Sequence, residues 1–150
     1  LTVLKQCPIE KMLGDAKLLD QIRPKILAMV DKFIAEGFDT KTNSTWYEYF
    51  PKTGNRDTDR HWWVQIEAVE GLANAYDMTG KEEYRTLALK QWNYIKQYLI
   101  DNVHGEWYWR IDEDGFPVDS EPKMGQWKCP YHNGRGLMHM IKEMDKWGAK

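Results

Sequence analysis

Apolar side chains recur at three- and four-residue steps in several stretches of this chain, and two aromatic loops between those stretches resemble each other. From Ala16 to Glu36 the stripe is Leu18, Leu19, Ile22, Ile26, Met29, Val30, Phe33 and Ile34, and Gly37 closes it. The spacing predicts an amphipathic helix, with Pro24 either bending it or marking its start. A second helical stripe, with Trp63, Ile66, Val69, Leu72, Ala73 and Tyr76, runs from about Arg60 to Met78 and ends at Thr79-Gly80. A third, with Tyr84, Leu87, Ala88, Trp92, Ile95, Tyr98 and Leu99, runs from about Lys81 to Asn102, and a last helix is expected from about Tyr131 to Trp147. The loops "STWYEYFPKTGN" and "GEWYWRIDEDGFP" each follow a helix, with Trp46 and Trp107 61 residues apart. The first reads as a loop with a short strand or hairpin, the second as a hairpin turning at Asp114-Gly115. One helix pair plus one hairpin loop is therefore the repeating unit. Such units cannot bury their apolar faces singly, so they stack into a solenoid or close into a ring. Two and a half units do not close a ring, and the expectation is one domain over residues 1–150 that forms the C-terminal arc of a larger toroid.

Composition removes several function classes. With 42% hydrophobic and 29% charged residues the chain is globular, and no apolar run approaches the roughly 18 residues of a membrane span. A formal net charge of −2, with no basic block, leaves no electrostatic footprint for nucleic acid. Cys7 and Cys129 stand alone, without CxxC spacing, which fits a reducing cytoplasm better than a disulfide framework. The N-terminus lacks signal-peptide order and does not begin with Met, so a processed chain or a piece of something longer is expected. Eight Trp and eight Tyr against four Phe are the unusual feature. Rings with a polar edge suit stacking on half-polar ligands such as sugars, although for any single Trp a place in a Trp-rich core is the plainer reading.

Chemistry concentrates at two places. Trp63 and Glu67 are four residues apart and share a helix face, with Trp62 beside them. A carboxylate on a face that also carries core residues is either buried with a partner or lines a cavity. The stretch "GQWKCPYHNGRG" puts Trp127, Cys129, His132 and Arg135 together where a loop meets the last helix. His132 there suits general acid/base work, since an imidazole's unperturbed pKa is about 6.5; the plainer alternative is a helix-start histidine bonded to backbone. His61, His104 and His139 carry the same two readings. None of the four histidines has HxH or HxxxH spacing, so no metal is expected. Ser44 and Ser120 lie in no nucleophile elbow, and Gly125, Gly134 and Gly136 form no phosphate-binding order.

"RHWWVQIEAVEGLANAYDMTGKEEY", "GEWYW" and "WKCPYHNGRG" together resemble the C-terminal part of the N-acylglucosamine 2-epimerase family, most closely its cellobiose/mannobiose 2-epimerase branch. The resemblance implies an all-α, partial (α/α)6 barrel of stacked antiparallel helix pairs with short β-hairpins in the loops. It also implies an isomerase that inverts C2 of a reducing-end sugar such as cellobiose, mannobiose or N-acylglucosamine, without cofactor or metal. By the same resemblance His132 is the acid/base histidine, Glu67 and Trp63 are the essential pair of the WWVQxE block, and Trp127 is the sugar-stacking tryptophan. Trp62 and Arg135 complete the substrate-binding set, with Arg135 expected to brace the loop. The family's second catalytic histidine lies in a GHxIExxW block, upstream of a turn like the "LGD" at residues 13–15, and "LTVLKQCPIE" contains no histidine. These 150 residues alone are therefore expected to be inactive, and to self-associate or contact a complementary N-terminal part. Two alternatives stand beside the epimerase: a catalytically inactive carbohydrate-binding or interaction module of the same fold, and a toroid hydrolase, which would need a second carboxylate across the cleft.

Overall fold

The computed structural model describes residues 15–148; Cys7 and the rest of the segment before Asp15 lie outside them. The helices are α1 (Ala16–Glu36), α2 (Trp62–Thr79), α3 (Glu82–Tyr94) and α4 (Tyr131–Trp147). Asp15 caps α1 by accepting from the Leu18 backbone N–H at 3.0 Å, and the helix runs through Pro24 unbroken. Its stripe turns Ile26 and Val30 into the core. α2 and α3 are joined by Gly80 and Lys81 alone. Gly80 adopts φ +69°, a left-handed turn that glycine enters at low cost, and its N–H closes α2 on the Tyr76 carbonyl at 2.7 Å.

α2 is the centre of the molecule. Its sequence shows one broad apolar face, yet from Trp62 to Ala75 every residue except Trp63 is buried, because α1, α3 and α4 pack around it. The small residues Ala68, Gly71, Ala73 and Ala75 leave room for those neighbours. Gln65, fully buried, accepts from the Thr45 N–H at 2.9 Å and donates to the Thr45 carbonyl at 2.6 Å. Gln91 of α3 donates to Thr45 Oγ1 at 2.7 Å and to Gln65 Oε1 at 3.0 Å. Bonds of this kind offset the cost of burying amides, and the network ties the first loop to two helices.

Short strands lie in the loops: β1 (Phe38–Asp39) pairs with β2 (Ser44–Thr45), β3 (Glu48–Phe50) with β4 (Asn55–Asp57), and β5 (Arg60–His61) with β6 (Arg110–Ile111), all antiparallel. Two expected boundaries move. Arg60 and His61 belong to a strand instead of the first turn of α2, because Arg110 and Ile111 offer them a ladder and the Trp62 N–H donates to the Trp109 carbonyl at 3.1 Å. The third helix ends at Leu99, three residues short of Asn102, after a wider turn over Ile95–Leu99. The hairpin at Asp114-Gly115 is present in narrow form, with Ile111 bridged to Pro117 and Gly115 at φ +91°.

The repeat is real but shifted by one residue. Phe38 pairs with Thr45 as Ile100 pairs with Trp107, and the Trp46 N–H bonds the Gly37 carbonyl as the Tyr108 N–H bonds that of Leu99. Asp39 accepts from the Lys41 N–H as Asp101 does from that of Val103, and Asn43 and Gly105 both take positive φ. All these equivalences are 62 residues apart, so Trp46 corresponds to Tyr108 and not to Trp107. A one-residue slip exchanges the two faces of a strand. Accordingly Trp107 is buried at 4% exposure, in the place of Thr45 at 3%.

Candidate active site

α2 and α4 meet near their N-terminal ends, and Gly136 sets how closely. A Cβ at Gly136 would stand 2.2 Å from Ile66 Cγ1 and 2.8 Å from Ile66 Cδ1. With α4 drawn in, His132 and Arg135 reach the carboxylates that α2 presents on successive turns. His132 Nδ1 lies 2.6 Å from Glu67 Oε1, Arg135 Nη2 donates to the same oxygen, and Arg135 Nε lies 3.3 Å from each Glu70 oxygen. The Glu67 side chain is 2% exposed and that of His132 28%. Of the two readings left open for Glu67, the structure gives burial with partners, which is what a carboxylate in such a place requires. Burial pulls the Arg135 guanidinium down, but the Glu70 and Glu67 carboxylates more than offset it, so it stands above the ordinary arginine value. In the neutral ring, a carboxylate accepting at Nδ1 holds the proton there and leaves Nε2 as the unprotonated nitrogen. The backbone-bonded alternative for His132 is therefore replaced by a carboxylate-braced imidazole.

Substituting Gly136 tests this packing. Gly136→Ala must move α4 or Ile66, and a cost of about 1–3 kcal/mol is expected for such overpacking. Chemical denaturation measures it; an unchanged midpoint would show that the helix approach is soft.

His132 opens on a cleft of about 350 Å³ lined also by Tyr47, His61, Trp62, Trp63, Trp109 and Trp127. The Trp63 and His132 ring centroids are 5.7 Å apart, and Trp62 meets His132 edge-on at 5.4 Å. Trp127 stands at the cleft 79% exposed, whereas Trp62 is 2% exposed and contributes only a wall. Arg135 is committed to Glu67 and Glu70. Thus the structure brings His132, Glu67, Trp63, Trp127, Trp62 and Arg135 into one region, with Glu67 and Arg135 behind the histidine.

Tyr47 and Trp109 are cleft residues that sequence reasoning left unassigned, and His61, which carried the same two readings as His132, joins them there. Their signal was the repeated aromatic loop, since Tyr47 follows Trp46 in one copy and Trp109 closes "WYW" in the other. His61 stacks on Tyr47 with centroids 3.8 Å apart. Burial, then the Arg110 charge, push the His61 imidazole below its usual value. A histidine with a depressed folded pKa favours the fold at neutral pH and opposes it as pH falls below about 6.5, because the unfolded chain then binds the extra proton. Stability should accordingly fall between pH 7.5 and 5.5 by less in His61→Gln than in the parent, as read by urea titration at both values.

A larger cavity, about 510 Å³, lies on the other side of the β5–β6 ladder, with Arg60, Tyr94 and Asp112 among its lining. Arg60 and His61 are consecutive in β5 and so point to opposite faces. None of the candidate site residues lines that second cavity. Among the described residues no group of three His, Cys, Asp or Glu is arranged to hold a metal ion, and no helix is long and apolar enough to cross a membrane.

Helix pairs with hairpin loops define part of an (α/α)6 toroid, and the candidate site, a carboxylate-braced histidine in a tryptophan-lined cleft, lies at the loop end of the helices. The family profile of N-acylglucosamine 2-epimerase (GlcNAc 2-epimerase) matches residues 10–134. The chain belongs to that family. A cellobiose 2-epimerase from Bacteroides fragilis is 38% identical over 133 residues, 89% of this chain and 33% of the relative. A D-mannose isomerase from Marinomonas mediterranea is 28% identical over 81% of this chain and 30% of the relative. Among solved structures, a sugar epimerase from a ruminal bacterium superimposes with TM-score 0.82 at 35% identity, over 89% of this chain and 33% of that one. The chain thus spans about a third of the length of the relatives it matches.

Proposed function

We propose that the protein carrying this chain is a sugar 2-epimerase that acts on the open-chain form of a reducing-end sugar such as cellobiose, mannobiose or N-acylglucosamine, without metal or redox cofactor. Nε2 of His132 takes the proton from C2, and the C2–H electron pair moves into a C1–C2 double bond as the C1 carbonyl becomes an enediol oxygen. Return of a proton to the opposite face of C2 restores the aldehyde with inverted configuration. The second acid/base group comes from the part of the protein that this chain, as the C-terminal arc, does not span. Trp63 and Trp127 hold the sugar by its apolar faces, with Trp62 behind them, and Arg135 braces Glu67 beneath the histidine. The cytoplasm is the proposed setting, as the two lone cysteines without CxxC spacing suggest.

The observation that carries this reading is the 2.6 Å contact between His132 and a buried carboxylate at the foot of an indole-lined cleft. The test is exchange of the sugar's C2 proton with deuterated water in the full-length protein, with EDTA present. Exchange is expected to persist with the chelator, and its loss would reject the metal-free scheme. A second reading, an inactive carbohydrate-binding module, draws on the exposure of Trp127. It predicts saturable quenching of tryptophan fluorescence by cellobiose with no exchange at C2.

A further inference from the structure

The proposed reaction makes no use of the buried cation Lys128. Lys128 is 1% exposed, and between Ile111 and Asn133 it is the one residue that is buried. A buried ammonium requires acceptors for its three N–H groups. Lys128 Nζ donates to the carbonyls of Lys123 at 2.6 Å and Trp107 at 2.7 Å, and to Glu106 Oε1 at 3.1 Å. It also lies 5.1 Å over the Trp62 ring, whose edge-on neighbour is His132. The same Glu106 oxygen accepts from Asn133 Nδ2 at 3.1 Å, and Asn133 is itself buried. Glu106 holds this position with φ +63°, a left-handed conformation that non-glycine residues seldom adopt.

One carboxylate oxygen therefore grips the chain at residue 128 and again at residue 133, on either side of the turn that delivers His132. The first turn of α4 needs such a grip, because Pro130 at its N-cap makes no side-chain capping bond. Most of the loop before it is exposed, including Met124, Trp127 and Cys129. Neither Lys128, Glu106 nor Asn133 lines the cleft.

We propose that Lys128, Glu106 and Asn133 form a staple that sets the angle at which His132 meets Glu67, making them positioning residues for the isomerisation. The catalytic consequence rests on the epimerase reading, while the effect on His132 itself does not.

The experiment uses the whole protein with Lys128→Met, Glu106→Ala and Glu106→Gln, reading the His132 ring resonances by NMR together with kcat and KM. In Lys128→Met and Glu106→Ala the His132 resonances are expected to shift, with kcat lowered about 10- to 100-fold and KM changed by less than about threefold. Glu106→Gln keeps an oxygen for both donors, so it should retain the His132 resonances and most of kcat. Unchanged His132 resonances in folded Lys128→Met and Glu106→Ala overturn the proposal, and so does a Glu106→Gln variant as impaired as Glu106→Ala. Should Lys128→Met not fold, the Glu106 pair decides alone, since that side chain is only partly buried. If no variant and no parent exchanges C2, the epimerase reading fails, while the His132 resonances still accept or reject the staple.

Discussion

Alanine at position 132 is expected to lower C2 exchange in the full-length protein by roughly 10²- to 10⁴-fold, the range for losing a general acid/base. On the proposed reading the sugar should still bind, because the proposed stacking surfaces of Trp63 and Trp127 are untouched, so the loss should fall on kcat more than on KM. Two independent contacts fix His132 for the proposed role: its Nδ1 is engaged by Glu67 at 2.6 Å, and its ring packs against Trp62 and Trp63. Exchange at the parent rate in His132→Ala would remove the residue from the mechanism, and the cleft would then have to be read as a binding surface.

Glu67→Ala should be the most destabilising single change at the site. It removes the carboxylate to which both His132 and Arg135 are bonded, in a place where the side chain is 2% exposed. Breaking a buried ion pair costs about 3–5 kcal/mol, and the lower end applies here because Arg135 keeps Glu70 and is itself partly exposed. Glu67→Gln separates structure from chemistry. Its amide oxygen still accepts from the histidine and the arginine, so most of the stability should return, but the charge that selects the Nδ1–H tautomer is gone. Activity in Glu67→Gln is therefore expected to stay down by roughly 10²-fold or more. Urea denaturation and the exchange assay on the same preparations measure both. A Glu67→Ala variant less than about 1 kcal/mol weaker than the parent would show that the carboxylate is not a buried partner.

The helices were legible because their apolar periods survive in a single sequence. The stripe over Ala16–Glu36 and the period from Tyr131 to Trp147 became α1 and α4 with the expected bounds. Trp63 and Glu67 share a face by spacing alone. What misled was side-chain identity in the loops. Matching Trp46 to Trp107 put the repeat one residue out of register, whereas the backbone aligns Asp39 with Asp101 and Asn43 with Gly105. Arg60 and His61 read as the start of a helix because their strand partners, Ile111 and Arg110, are 51 and 49 residues downstream. A lysine in a polar loop reads as solvated, and Lys128 is the opposite.

The sequence by itself determined the helix stripes, the turn residues that end them, and the motif that carries an imidazole and an indole to one loop. These are local properties, set by periodicity and by backbone preference within a few residues. Only the tertiary structure decided which carboxylate the imidazole would meet, since Glu67 lies 65 residues before His132. That pairing follows from the approach of α4 to α2 at Gly136, and from the Glu106 contacts that hold the first turn of α4. Both are contacts between segments distant in the chain. Their geometry exists only once the helices have packed.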